Sequence, residues 1–395
     1  MHRIAHIKTT YLELSETFIY QFLTSFKNTE NFVIAEQLKN LDVFPFKNKV
    51  LLDPYTRKDF VNSAISRLLS PRHKGFERRI ELAIDKVKPD LLHAHFGPVG
   101  VYTLPIAKRH HLPLIISFYG YDTSYAGVLR TIPTPRKLLP FGLNNYWKKA
   151  YSELFKEVSA IVTFGEVMRE TLIDLGAPAD IVFDIHSGIN LNQRKFSPRL
   201  IDKDKPIEIL MVNRLVDKKG TEIALRAVST LCTQYPNISL KIVGGGPLEV
   251  HLKDTAADLG IEDHVEFLGF KKYPEVIEMM KTAHVFLSPS IKVQDDEEGG
   301  INTTVIDALS LGLPTIATTE SGSQLILDHS TGLMAEIGSS EDLAEKIKYL
   351  IENPASAQQM AIEGRALIER DFDQEKQTEK LEDLYDHILT PPSSS

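Results

Sequence analysis

Along residues 1–200, short runs of β-branched and other apolar residues alternate with longer stretches whose apolar positions recur at helical spacing, and residues 201–395 repeat the alternation. The pattern predicts strands at 4–7, 31–35, 91–94, 114–118 and 160–163 in the first half. In the second half it predicts strands at 207–212, 240–243, 264–267, 285–288 and 315–317. Amphipathic stretches such as 221–234 and 247–259 lie between them, so each half is expected to be an α/β unit with a parallel sheet wrapped by helices. A last helical region, 342–389, is too long for one helix and breaks at Asn353-Pro354. The tail 390–395 is polar, and repeats and other low-complexity tracts are absent.

With 395 residues the chain exceeds what one core usually serves, so two domains are expected. Their boundary is placed in 190–206, where Arg194-Lys195-Phe196-Ser197-Pro198 and Asp202-Lys203-Asp204-Lys205-Pro206 make a charged stretch punctuated by proline. This gives a first domain at 1–198, a second at 199–375, and a closing helix with its tail at 376–395 packed back on the first domain. In open α/β sheets ligands sit beyond the carboxyl ends of the strands, which is where the glycine and polar clusters of both halves fall.

Composition is that of an ordinary globular protein, 43% apolar and 25% charged. The single cysteine, Cys232, lies in a helical pattern and reads as a small buried hydrophobe. It excludes a disulfide within the chain and points to an intracellular setting. No run approaches the roughly 18 apolar residues of a membrane span, so a soluble, cytoplasmic protein is expected. The net charge of −8 hides an asymmetry: residues 1–200 carry 27 Lys and Arg against 19 Asp and Glu, and the remainder is strongly acidic. The basic positions Arg67, Arg72, Lys74, Arg78, Arg79, Lys148 and Lys149 suit peripheral contact with an anionic membrane face or a phosphate-bearing acceptor, and equally a solvated helix face. The acidic second half disfavours nucleic acid.

The stretch 297–314 carries the most chemistry: Glu298, Gly299, Gly300, Ile301 and Asn302 form an acidic, glycine-rich loop that opens a helix at Thr303-Thr304. A helix N-terminus offers unpaired N–H groups to an anion, and a phosphate suits it. Asp307, one turn in, is placed to accept hydrogen bonds from sugar or ribose hydroxyls. Arg214 and Lys219 follow the first strand of the second half and suit a diphosphate clamp, although exposed loop charges alone explain them too. Gly244-Gly245-Gly246-Pro247 follows the next strand. It permits close backbone approach to a ligand or makes a tight turn, and lacks the later glycine of a dinucleotide fingerprint.

In the first half, His93 and His95 are two apart, so only one is expected to address the ligand side, too few for zinc, and no metal is expected. Asp122, after Gly120, is either a catalytic carboxylate or a turn and capping residue. Ser15 is a credible helix N-cap, and its place after the first strand makes it a candidate acceptor contact.

Taken in order and spacing, these stretches resemble the retaining glycosyltransferases of family 4: Leu14 to Ile19, His93-Ala94-His95-Phe96-Gly97, Phe118 to Asp122, His186 to Asn190, Asn213-Arg214-Leu215 with Lys219-Gly220, Val243 to Leu248, and Glu298 to Pro314. The similarity is greatest to the branch making colanic acid and other exopolysaccharides or lipopolysaccharide. It implies an α/β, GT-B fold, two Rossmann-like domains with parallel sheets facing across a cleft. The first domain then holds a glycan or lipid-linked acceptor, through Ser15, Glu16, Thr17, His95 and Tyr119, and the second a nucleotide-sugar donor. Donor contacts implied are Arg214, Lys219, Gly245, Gly299, Gly300, Ile301, Asn302, Thr303, Thr304 and Asp307. Catalytic roles fall on Glu298, Tyr119, Asp122, Arg214 and Lys219, with the leaving phosphate assisting deprotonation of the acceptor and no metal or other cofactor.

The chain departs from the family twice. Tyr119-Gly120-Tyr121-Asp122 stands where His-Gly-x-Asp is usual, a phenol in place of a histidine. Counting back from Asp307, the first acid of the usual Glu-x7-Glu pair falls on Gly299. Glu298 then reaches in through a one-residue bulge, which the flexible Gly-Gly pair allows, or the contact is lost. The rival to an active transferase is a catalytically silent binding or scaffold subunit; a sugar-nucleotide epimerase of the same fold would need acid and base groups that are not evident.

Overall fold

The computed structural model describes residues 1–13, 16–54, 56, 74–123, 143–293 and 301–390. The chain divides into two compact units, one of Met1–Gly188 with Gln374–Ser395 and one of Ile189–Asp373. The domain edges expected after 198 and 375 thus fall after 188 and 373. Arg194 and Ile201, read as linker, are buried in the second unit because proline and charge punctuate packed loops as readily as free ones.

The first unit is built on a parallel sheet of strands β1 (His2–Thr10), β2 (Thr29–Gln37), β3 (Lys49–Leu51), β4 (Leu91–His95), β5 (Leu114–Ser117), β6 (Ala160–Thr163) and β7 (Val182–Asp184). Their order is β3-β2-β1-β4-β5-β6-β7. Alternate residues supply opposite faces. Ala5, Ile7, Leu92 and Ala94 join a core with the helices Lys74–Val87, Gly97–His110 and Leu143–Phe155. Ile4, Leu91 and Ile115 point the other way, toward Leu381, Leu384 and Tyr385 of the closing helix Gln374–Leu389. That helix is held by Glu382, whose carboxylate accepts the Lys27 and Asn28 N–H groups at 3.0 and 2.7 Å.

The second unit carries β8 (Ile207–Val212), β9 (Ile238–Val243), β10 (Val265–Gly269), β11 (Val285–Ser288), β12 (Thr315–Ala317) and β13 (Leu333–Met334), in the order β10-β9-β8-β11-β12-β13. Every strand expected from the pattern is present. The unexpected ones, β3, β7 and β13, are sheet edges of two or three residues, too short to show alternation and formed by pairing to a neighbour. The long C-terminal region breaks at Asn353 before Pro354, and again at Phe372-Asp373. There the Ile189 N–H donates to the Phe372 carbonyl at 2.8 Å, so the two passages of the chain between units lie side by side. Cys232 is half-buried against the second core.

Candidate active site

In the first sheet the strand order runs outward in both directions from the β1–β4 pair, the switch point at which open α/β sheets take ligands. Register places His6 of β1 beside His93 of β4. Residues two apart on a strand share a face, which corrects the expectation that only one of His93 and His95 addresses it: both are buried there, ring centres 4.6 Å apart, and His6 joins them. Among the described residues these three could approach one ion, their ligand atoms lying within 4.8 Å of one another. Each ring nitrogen, however, already has a protein partner. His93 lies between the Tyr385 and Ser117 hydroxyls, both at 2.7 Å. The arrangement is a hydrogen-bonded cluster.

The amide of Asn31 sets the direction of a chain through it. Its Nδ2 donates to Thr29 at 2.8 Å, so its oxygen faces His6 Nε2 at 2.9 Å and that nitrogen carries the proton. Burial holds His6 neutral, pushing it from 6.5 down to about 4, so Nδ1 is an acceptor and takes the N–H of His95 Nε2 at 3.0 Å. His95, also driven down by burial and by its histidine and Lys8 neighbours, then accepts the Tyr119 hydroxyl proton at Nδ1, 2.5 Å away. Tyr119 therefore turns its hydroxyl inward to His95, while its ring packs on Phe164 and Phe18, centres 4.8 and 5.0 Å distant.

Asp122 is fully buried, with one oxygen accepting the Gly97 N–H and the other the Tyr119 N–H, both at 2.9 Å. Of its two sequence readings the structure supports the turn-holding one: Asp122 ties the loop after β5 to the start of the helix after β4. Glu16 forms a buried ion pair with Lys8 at 2.9 Å and accepts the Glu13 N–H, so its carboxylate is engaged within the protein. The helix Thr17–Ser25 has Glu16 rather than Ser15 at its cap position; Ser15 itself lies outside the described residues, and Thr17 is half-buried.

The second sheet has its switch point between β8 and β11. The loops after β8, β9 and β11 are laced together beyond the strand ends: the Leu215 N–H donates to Gly245 O at 3.0 Å and the Ile291 N–H to Lys218 O at 2.9 Å. Glycine is needed for this. A Cβ on Gly244, whose φ is +132°, would lie 1.8 Å from the Asn213 carbonyl, and one on Gly220 2.0 Å from that of Pro289. Gly245 has open space beside it, its nearest neighbour a Glu249 oxygen at 3.9 Å.

Lys219 reaches across these loops to the side-chain amide oxygen Oδ1 of Asn302 at 3.3 Å. Asn302 also donates toward Ser288 at 3.3 Å and, through its backbone N–H, to Ser321 O at 2.8 Å, which fixes the start of the helix Thr303–Leu311. That helix has no side-chain cap, so its first amides, at exposed Thr303 and half-buried Thr304, lack intrahelical partners and directly follow Asn302, the residue that Lys219 contacts. Ile301 bridges to Gly322. Arg214, on the same β8 loop, is exposed and forms no ion pair among the described residues. Glu298, Gly299 and Gly300 lie outside the described residues.

Asp307 is buried, one oxygen accepting the Tyr273 hydroxyl at 2.7 Å and Arg194 Nη2 at 3.3 Å. Burial raises its pKa, and the Arg194 charge and both hydrogen bonds pull it back. Neither Arg194 nor Tyr273 was expected here. Arg194 sits in the charged stretch taken for a linker and Tyr273 opens a helix far along the chain, so only the fold joins them to Asp307.

Residues 47–193 match Glycosyltransferase Family 4 and residues 192–367 match Glycosyl transferases group 1. The amylovoran biosynthesis glycosyltransferase AmsK of Erwinia amylovora is 28% identical over 86% of this chain and 79% of its own length. The chain is a glycosyltransferase. A further relative of this glycosyltransferase is the putative colanic acid biosynthesis protein WcaL of Escherichia coli K12, 28% identical over 73% of this chain and 68% of WcaL. Among solved structures, Anabaena Alr3699/HepE in complex with UDP superposes with a TM-score of 0.74, covering 98% of this chain and 99% of that one at 16% identity. The apo lipopolysaccharide outer core galactosyltransferase WaaB gives 0.70 at 16% identity, covering 97% and 99%. The glycosyltransferase has the GT-B fold, each unit a parallel Rossmann-like sheet. The two family matches meet at 192–193, close to the Gly188–Ile189 passage.

Proposed function

We propose that this glycosyltransferase moves a sugar from a nucleoside-diphosphate sugar to a glycan or lipid-linked glycan of a surface polysaccharide, with retention at the anomeric carbon. The observation that carries the reading is the convergence of Lys219, Asn302 and the uncapped amides of Thr303 and Thr304 at the β8–β11 switch point. These are the groups a diphosphate needs: a cation and N–H donors at a positive helix end. Arg214 extends from the same loop as a second cation.

In the transfer the anomeric C–O bond to the β-phosphate breaks while the acceptor oxygen bonds to the same face of the sugar, and the acceptor proton passes to the departing phosphate. Negative charge grows on that phosphate in the transition state, so donors already aimed at it lower the barrier without reorganising. Similarity to AmsK and WcaL, whose names place them in amylovoran and colanic acid synthesis, supports a polysaccharide acceptor. The surplus of positive charge in residues 1–200 supports work near lipid-phosphate acceptors at the cytoplasmic membrane face. Among the described residues no helix is long and apolar enough to cross a membrane.

A second reading, a binding subunit without turnover, draws on Tyr119, whose hydroxyl is held inward by His95. Incubation with UDP-, GDP- and ADP-sugars, following thermal shift and nucleotide release, separates the two. Binding with release in the presence of acceptor glycan supports transfer, binding without release supports the silent subunit, and no binding to any donor refutes both.

A further inference from the structure

Asp307 is held by a closed triangle of polar groups whose donor directions are all determined. Arg194 can only donate, and its Nη2 lies 2.6 Å from the Tyr273 oxygen and 3.3 Å from Asp307 Oδ1. Tyr273, having accepted from Arg194, passes its own proton to the same Oδ1 at 2.7 Å. The Arg194 guanidinium also lies against the Tyr273 ring, 5.4 Å from its centre, and is nine-tenths buried. Both bonds therefore fall on one carboxylate oxygen, and Oδ2 takes none of them. A carboxylate free to rotate would offer either oxygen; these two bonds engage Oδ1 and leave Oδ2 outside the triangle.

We infer that Tyr273, backed by Arg194, is a specificity-determining positioning residue: it locks the Asp307 carboxylate so that Oδ2 receives the 2′ and 3′ hydroxyls of the donor's ribose, and so makes the donor site selective for ribonucleotides. The inference rests on the nucleotide-sugar reading of the second unit and deepens it. Oδ2 is an acceptor with two lone pairs, and a ribose cis-diol supplies two O–H donors at the matching end of the interaction. Without the Tyr273 hydroxyl, Oδ1 loses its shortest bond and the carboxylate turns to share its charge between the two oxygens. The Lys219 and Asn302 contact at the phosphate end involves neither Tyr273 nor Asp307.

The test is isothermal titration of the purified full chain with UDP and GDP and with their 2′,3′-dideoxy counterparts. The wild type should bind the ribonucleotide about tenfold or more tightly than the dideoxy form, the size of one hydrogen bond to a charged group. Asp307→Asn should bring the two affinities nearly together. Tyr273→Phe should shrink the ratio at least about threefold with the dideoxy affinity unchanged, an outcome that a general loosening of the site would not produce because both affinities would then fall. Thermal melting of Tyr273→Phe within a few degrees of wild type confirms that the fold is kept. A wild-type ratio near one, or an unchanged ratio in Tyr273→Phe, overturns the inference and leaves the proposed function standing. Failure of UDP, GDP and also ADP to bind the wild type refutes the proposed function, and the inference with it.

Discussion

Acid should loosen the first unit, and His6 sets a measurable part of the effect. The ring is fully buried between Asn31 and His95, next to His93, and burial lowers its pKa from 6.5 to about 4. The unfolded chain keeps the ordinary value near 6.5, so below that pH the unfolded state binds more protons than the folded one. The stabilisation is complete above pH 6.5 and is lost as pH falls toward and through 4. Integrated between pH 7 and pH 5, His6 alone accounts for about 2 kcal/mol of lost stability. His93 and His95 are lowered in the same sense, with Lys8 adding to the effect on His95. Asp122, raised to about 6 by burial, titrates the opposite way over the same window, so the total pH dependence does not isolate His6.

The informative quantity is the difference between wild type and His6→Gln, which keeps a donor and an acceptor but does not titrate. Trp147, the chain's only tryptophan, is buried in the first unit, so its fluorescence during urea unfolding reports on that unit rather than the whole chain. Wild type should lose about 2 kcal/mol more than His6→Gln between pH 7 and pH 5. Equal losses would refute the argument that burial keeps His6 neutral.

Lys219→Ala should lower turnover by about a hundredfold, the loss typical of one preorganised donor to developing charge, with a nearly unchanged melting temperature; near-normal turnover would remove Lys219 from the diphosphate site. Asp122→Asn leaves one of two backbone N–H groups facing an amide and should destabilise the first unit by about 1–3 kcal/mol, read by Trp147 fluorescence. Nitrogen-15 spectra of the imidazoles should show His6 and His95 both neutral and protonated at Nε2. The Nδ1–H tautomer at either ring would show that the chain from Asn31 to Tyr119 runs the other way.

The grouping of the second unit's candidate site residues was legible where its signals are local. Lys219, Asn302 and Thr303 lie in loops that directly follow strands or open a helix, and such loops gather at one edge of a parallel sheet whatever the details of packing. Gly244 was legible as a special position but not in purpose: it clears a carbonyl of a neighbouring loop, as Gly220 does, while Gly245 has open space beside it. His6 and Lys8 look in sequence like interior positions of one more apolar strand. Their chemistry arises when β1 pairs with β4 and when Glu16 folds back, contacts with no spacing rule along the chain.

What the sequence by itself determined is the alternation of strands and helices, the division into two α/β units and the positions where phosphate-suited groups must gather, since hydrophobic period, helix ends and glycine turns are set by neighbouring residues. Tertiary structure alone decided which carboxylates remain available. Asp122 is consumed by two backbone N–H groups, Glu16 by Lys8, and one oxygen of Asp307 by Tyr273 and Arg194. A carboxylate's role depends on the partners that burial brings to it, and Gly97, Tyr273 and Arg194 lie 25, 34 and 113 residues from the carboxylates they hold, where no local pattern records them.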